Sequence, residues 1–247
     1  MKKIIIFDLD GTLTQSKSVI DAETANLMNQ LLQITKVAVI SGGNWQQFQN
    51  QLLKNSAANQ FLKNLILLPT SGTQLYQYQN DWQLMYSENF NLNEKNKIIN
   101  ALNYTINKEK LNSEKVWGQL IEDRGSQITF SGLGQKAPIA EKLKWDSDLT
   151  KRKKMKVILD AMLPDFSVRL GGTTSIDITK IGIDKAYGIN KIVKILEIPI
   201  DEMLFIGDAL YEDGNDFPVK KTGISTLQVE NFKETKLVIK TIIACLN

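Results

Sequence analysis

Phe7-Asp8-Leu9-Asp10-Gly11-Thr12-Leu13-Thr14, directly after the apolar run Ile4-Ile5-Ile6, is the stretch whose reading decides the fold. A short unbroken apolar run reads as a strand buried on both faces, the kind found in parallel sheets covered by helices. Asp8 and Asp10 therefore fall where a central strand stops and its connecting loop begins. In α/β proteins that edge carries the chemistry. Two carboxylates in one small space repel unless a cation or a shared proton offsets them, and oxygen ligands of this type suit a hard ion such as Mg²⁺. Taken alone, the pair also fits a solvated turn or a calcium loop, although the further oxygen ligands and terminal Glu of an EF-hand are missing.

Working outward, Asp21 is placed to cap a helix carrying Leu27, Met28, Leu31 and Leu32 on one face. Lys36 to Ile40 reads as a second buried strand ending in Ser41-Gly42-Gly43. Asn44 starts another helix with Trp45, Phe48 and Leu52, and Leu65 to Leu68 is a third strand. Strand, helix, strand, helix, strand implies a parallel sheet with right-handed crossovers. The character then changes. Gln74 to Tyr78 and Trp82 to Tyr86 alternate around Asn80-Asp81 as a hairpin, and the helices and strands predicted as far as Thr179 group as an α+β insert. From Lys185 the α/β rhythm returns, with a helix over Ala186, Ile189, Val193 and Leu196, and a strand Met203 to Ile206 ending at Gly207-Asp208. The expected architecture is a Rossmann-like parallel core at residues 1–83 and 185–247, with an α+β cap inserted at 84–184.

Composition narrows the function. A chain of 247 residues with 43% apolar content can fill a core, and a net charge of +3 on 30 basic and 27 acidic residues calls for neither nucleic acid nor a membrane as partner. Met1-Lys2-Lys3 leads straight into a strand too short for a signal segment, and no apolar run approaches the about 20 residues that cross a bilayer. With Cys245 the single cysteine, expected as a buried packing residue, a cytoplasmic location is the expectation. There is no histidine. That excludes Ser-His-Asp and Cys-His relays and His-ligated zinc, leaving proton transfer to carboxylates, lysines or tyrosines.

The sheet edge gathers the remaining chemistry. Asp8 and Asp10 follow the first strand, Ser41 the second and Asp208 a late one. A carboxylate there can attack phosphorus without an activating base, and another two residues on can protonate the leaving oxygen and then deprotonate water. Mg²⁺ on Asp8 and Asp208 would offset the phosphoryl charge, and Ser41 and Lys185 would hold the oxygens.

These motifs, Asp8-Leu9-Asp10-Gly11-Thr12, Ser41, Lys185, and Gly207-Asp208 with Asn215-Asp216, resemble the four motifs of the haloacid dehalogenase superfamily. An insert between the third strand and the lysine is similar to the type IIB cap. Over essentially its full length the chain resembles the eukaryotic-type phosphomannomutases, through these segments and through Glu122-Asp123-Arg124, Gly171-Gly172 and Ser175-Ile176-Asp177. The resemblance implies Asp8 as nucleophile and metal ligand, Asp10 as acid/base and ligand through its carbonyl, and Asp208 as the remaining metal carboxylate. It further implies Asn215 and Asp216 as metal support, Ser41, Gly42 and Lys185 as phosphate binders, Arg124 on a distal phosphate, and Ser175 and Asp177 on a sugar. Where the mutases carry further arginines, this chain has Lys17, Gln135 and Lys142. Lysine is a mobile point charge and glutamine is neutral, so the hold on a second phosphate weakens.

The expected function is Mg²⁺-dependent phosphoryl transfer on a small phosphate ester, a sugar phosphate by this resemblance. Hydrolysis stands ahead of mutase activity, and a silent binding protein is argued against by the intact Asp10. The basic run Lys151 to Lys154 with Lys156, lacking interleaved aromatics, reads as a solvated helix face. The aromatic hairpin at 76–86 reads as packing and as a candidate homodimer contact.

Overall fold

The structure, a computed structural model, describes residues 1–55, 60–111 and 115–246. The chain divides into two compact units, Met1–Ser87 with the chain from Asp184 onward, and Glu88–Ile183.

In the larger unit the elements run β1 (Ile4–Asp8), α1 (Ala22–Ile34), β2 (Lys36–Ile40), α2 (Trp45–Gln51), β3 (Leu65–Leu68), β4 (Gln74–Tyr78) and β5 (Trp82–Ser87). The smaller unit follows with α3 (Leu92–Lys108), β6 (Ile121–Asp123), β7 (Gln127–Ser131), α4 (Ile139–Trp145), α5 (Thr150–Met162), β8 (Phe166–Gly171) and β9 (Ser175–Lys180). The chain then returns with α6 (Lys185–Leu196), β10 (Met203–Gly207), β11 (Ser225–Gln228) and α7 (Phe232–Leu246).

The large sheet has the order β11-β10-β1-β2-β3-β4-β5, parallel from β11 to β3 and antiparallel over β4 and β5. β1 lies inside it with every residue buried, which is why its sequence is a continuous apolar run rather than an alternating one. Alternate residues feed two cores. Ile5, Phe7, Val37 and Val39 pack with Leu27 and Leu31 of α1, Phe48 of α2 and Ile239 of α7. Ile4, Ile6, Ala38 and Ile40 pack with Ile189 and Ile192 of α6. From β1 the chain builds outward through β2 and β3 on one side, while β10 and β11 arrive on the other. The strand order thus reverses between β1 and β10, and ligands of open α/β sheets bind outside the strand ends at such a switch point.

The smaller unit is a four-stranded antiparallel sheet, β6-β7-β9-β8. One face is apolar: Ile128, Phe130, Val168, Ile176 and Ile178 pack on Ile98 and Leu102 of α3 and Met155 and Leu159 of α5. The alternate residues, Gln127, Thr129, Ser131, Ser175 and Asp177, are polar.

Several expectations need adjustment. The hairpin of β4 and β5 continues the core sheet as far as Ser87, so the larger unit does not stop at residue 83; a cut there would run through β5 and part residues 84–87 from β4, their ladder partner. Asp184 also belongs to that unit, as the N-cap of α6 accepting from Tyr187 N at 3.1 Å. Three-residue β6 has too few side chains to show a period. Arg152 departs from the solvated basic run: it is 1% exposed, because it shares a helical stripe with Met155 and Leu159. Cys245 is exposed rather than buried, since α7 turns its Ile239 side inward and residue 245 falls on the flank. Among the described residues no helix is long and apolar enough to cross a membrane.

Candidate active site

β1 delivers Asp8 at its last residue and β10 delivers Asp208 immediately after Gly207. Between Asp8 and Thr14 the loop folds tightly: buried Leu9 and Leu13 anchor it, and Leu13 N and Thr14 N donate to Leu9 O at 3.0 and 3.2 Å. Gly11 has φ +94°, and any Cβ there would run into the Asp208 carboxylate, so a glycine is needed on both counts. Thr12 fastens the two loops. Its hydroxyl donates to Asp208 Oδ1 at 2.9 Å and accepts from Asp208 N at 3.0 Å, across 196 residues of sequence.

Lys185 is the first residue of α6. The helix closes on the turn after β3, where Gly72, at φ +85°, meets Gly188 too closely for a side chain. The Lys185 ammonium donates to Asp8 Oδ1 at 2.6 Å and to Asp216 Oδ1. Asp216 Oδ2 is held in turn by Ala209 N at 3.0 Å. Asp8, Asp208 and Asp216 bring carboxylate oxygens within 4.8 Å of one another. Two carboxylates thus share one lysine, with the Asp208 carboxylate beside them, in a site where Asp8, Asp216 and Lys185 are buried. Burial, reinforced by Asp216 and Asp208, pushes the Asp8 carboxyl well above its ordinary range even though Lys185 pulls the other way. On Lys185 burial acts downward, but Asp8 and Asp216 more than reverse it and hold the ammonium protonated. An all-oxygen cluster with excess negative charge fits a hard divalent cation, which would relieve the repulsion that Lys185 leaves unbalanced.

Asp10 is held apart from this cluster. Its Oδ1 accepts from Lys17 N at 2.5 Å and from Gln51 Nε2 at 3.0 Å, and Lys17 takes the left-handed conformation, φ +58°. The Lys17 side chain itself is exposed. Ser41 follows Ile40, the register partner of Asp8, so β2 sets it beside the end of β1. Its buried hydroxyl accepts from Gly43 N at 3.1 Å, and its carbonyl accepts from Ser71 N at 2.9 Å. At Gly42 a Cβ would meet nothing within 4 Å. Asn215 is exposed while its neighbour Asp216 is fully buried.

In the smaller unit, a polar row crosses the sheet through register partners Glu122, Thr129, Asp177 and Arg169. Asp177 Oδ1 accepts from Thr129 Oγ1 at 2.7 Å, and the Ser175 and Ser131 hydroxyls are 3.2 Å apart. Arg124 commits Nε and Nη2 to one oxygen of Glu122, at 2.9 and 2.7 Å. Lys142 is buried with its ammonium on Gln135 O at 3.0 Å, and the Gln135 Nε2 is a buried donor with no partner.

Three residues escaped the sequence reading. Thr12 was visible only as part of a motif. Gln51 shares a helix face with Phe48, a weak signal for burial and none for Asp10. Arg152, which ties Asp146 to the β8–β9 turn, was masked by the lysines around it; its Nε is 2.7 Å from Asp146 Oδ2 and its Nη1 reaches the carbonyls of Gly171 and Gly172 at 3.0 and 2.8 Å.

Comparison with known proteins bears on the family and the fold. The profile of the haloacid dehalogenase-like hydrolases matches residues 5–218. Phosphomannomutase 2 of Dictyostelium discoideum is 27% identical over 228 residues, covering 87% of this chain and 86% of that protein. The phosphomannomutase of Schizosaccharomyces pombe is 26% identical over 233 residues, 88% and 85% of the two chains. Among solved structures, the N-terminally truncated, IMP-bound IMP-nucleotidase of Plasmodium falciparum superimposes with a TM-score of 0.71 at 19% identity, over 98% of this chain and 68% of that one. A haloacid dehalogenase-like hydrolase from Bacteroides thetaiotaomicron gives 0.65 at 17% identity, over 98% and 100%. At these identities the structural likenesses speak to the fold alone.

Proposed function

Because the chain belongs to the haloacid dehalogenase-like hydrolase family, whose reaction here is phosphoryl transfer on a phosphorylated substrate, we propose that it is a phosphatase working through Asp8. The observation that carries the reading is the shared lysine: Lys185 bridges Asp8 and Asp216 beside Asp208, at the edge where the strand order reverses. A carboxylate oxygen of Asp8 attacks phosphorus, and the bond from phosphorus to the ester oxygen breaks. Asp10 gives that leaving oxygen its proton. Asp10 then takes a proton from water, which attacks the aspartyl-phosphate, regenerates the Asp8 carboxylate and releases inorganic phosphate. Asp8, Asp208 and the Asp10 carbonyl, with Asn215 and Asp216 in support, would hold a Mg²⁺ ion, which would supply charge neutralisation for the phosphoryl oxygens. Ser41, Gly42 and Lys185 orient those oxygens. Lys17, Arg124, Gln135, Lys142, Ser175 and Asp177 choose the remainder of the substrate, a sugar phosphate by the resemblance to phosphomannomutases.

Hydrolysis is favoured over mutase activity by how the smaller unit's cations are used. A mutase must retain a bisphosphate and turn it around, which needs a strong hold on the second phosphate. Here Arg124 is engaged by Glu122 and Lys142 by Gln135 O, and Gln135 brings no charge. The second reading, a hexose phosphomutase, is favoured by the phosphomannomutase relatives that align over most of the chain. The two separate on incubation with Mg²⁺ and mannose 1-phosphate, with and without a hexose bisphosphate. Free phosphate as the main product is expected. Mannose 6-phosphate, formed only with the bisphosphate, would replace phosphatase by mutase.

A further inference from the structure

Gln51 stands at the end of α2, 4% exposed, and carries a combination that packing alone does not explain. Its Nε2 donates to Asp10 Oδ1 at 3.0 Å and reaches Ser18 O at 3.3 Å, while its Oε1 is buried with no partner. The amide orientation follows from this network. Turned over, it would set Oε1 against two oxygen acceptors, so the nitrogen must face Asp10. A buried acceptor without a donor destabilises the fold, and such violations concentrate where a residue serves the site rather than the core. Gln51 also ties down the loop that brings the second donor: its backbone carbonyl accepts from Ile20 N at 2.8 Å, closing the segment in which Lys17 takes φ +58° to turn its N–H onto the same Asp10 oxygen.

Both donors thus converge on Oδ1. A hydroxyl oxygen is a poorer acceptor than a carbonyl or carboxylate oxygen, so two N–H groups on Oδ1 leave Oδ2 as the atom that bears a proton. We propose that Gln51 is a positioning residue for phosphoryl transfer: together with Lys17 N it occupies Asp10 Oδ1, fixes the carboxyl rotamer and assigns proton delivery to Oδ2. In the first half-reaction the proton on Oδ2 passes to the ester oxygen as its bond to phosphorus breaks. In the second, Oδ2 takes one proton from the attacking water. The inference rests on the reading of Asp10 as acid/base, and its test distinguishes the two.

The experiment measures release of the leaving alcohol in the first turnover, with Mg²⁺, from phenyl phosphate and from 4-nitrophenyl phosphate. The substrates have similar shapes, but 4-nitrophenolate departs without a proton. Gln51→Leu is expected to slow phenol release by at least about tenfold and 4-nitrophenol release by less than about threefold, with Asp10→Asn showing the same selectivity. Gln51→Met, of closer length, is measured alongside, and thermal melting verifies that each variant is folded. Equal slowing of both substrates by folded Gln51 variants, with Asp10→Asn still selective, would overturn the role of Gln51 and leave Asp10 as acid. Loss of selectivity in Asp10→Asn itself would overturn the underlying reading, and Gln51 with it.

Discussion

Lys185 in the larger unit and Arg152 in the smaller one are both buried cations on helices, and both pair with aspartate. They differ in balance. Arg152 meets one buried carboxylate, Asp146, which also accepts from Lys151 N at 2.8 Å, and spends its remaining capacity on the carbonyls of a β-turn. Charge is matched and the groups are satisfied, the arrangement of a structural strut. Lys185 meets two carboxylates with a third close by, so the cluster carries excess negative charge that folding alone gives no reason to tolerate. The difference teaches that burial of an ion pair does not mark chemistry; charge left over after pairing does. Sequence separation follows the same line. Arg152 and Asp146 are six residues apart, whereas Lys185 and Asp8 are separated by 177.

The contrast can be broken most directly at Asp8. Asp8→Asn is expected to cut phosphate release by at least about a thousandfold while leaving the protein folded, because Asp216 still pairs with Lys185. Turnover within about tenfold of the parent in that variant would remove the nucleophile. Next in size is the strut. Arg152→Met should lower stability by about 3 to 5 kcal/mol in urea unfolding, since it strands the Asp146 charge, and adding Asp146→Leu should recover part of the loss. A single-variant loss below about 1 kcal/mol would mean that Arg152 is not the partner Asp146 depends on.

The smallest effect is the pH dependence of the excess charge in the presence of a chelator. Asp8 has its folded pKa raised above 3.8, so its preference for the folded state is fully present below 3.8 and is lost as pH rises through the raised value. The parent should therefore lose melting temperature relative to Asp8→Asn as pH rises above 3.8. Asp21, held low by Lys236 and Thr24 despite some desolvation, runs the opposite way, contributing above 3.8 and fading as pH falls. A parent-minus-variant difference that stays flat or grows with pH would show that Asp8 is not the strained member of the cluster.

How much was legible varied with the range of the interaction. Four of the five parallel strands, β1, β2, β3 and β10, could be read because burial on both faces writes itself as continuous apolar runs, whereas edge strand β11, Ser225–Gln228, is largely exposed and carries no such run. The hairpin of β4 and β5 could be read as a hairpin, but the core boundary expected at residue 83 fell inside its second strand, since nothing local states how far a hairpin's ladder runs. Arg152 had its signal, the i, i+3, i+7 spacing with Met155 and Leu159, hidden by a reading of charge that took neighbouring lysines as its peers. Asn215 and Asp216, adjacent in the chain, separate into an exposed and a fully buried residue because the Gly214–Val219 turn rolls one outward and the other under Ala209 N.

By itself the sequence determined the element types, the strand ends at which Asp8, Ser41 and Asp208 sit, and the exclusion of histidine chemistry. These are local properties, set by side-chain period, turn residues and residue inventory. Only the tertiary structure decided that Asp8 and Asp216 share one lysine beside Asp208, that Asp10 stands apart under Gln51 and the Lys17 backbone, and that Arg124 and Lys142 are already engaged. The Lys185 and Gln51 pairings depend on crossover connections that bring residues far apart in the chain to one sheet edge, while those of Lys17, Arg124 and Lys142 are local and depend on how the folded backbone aims each group.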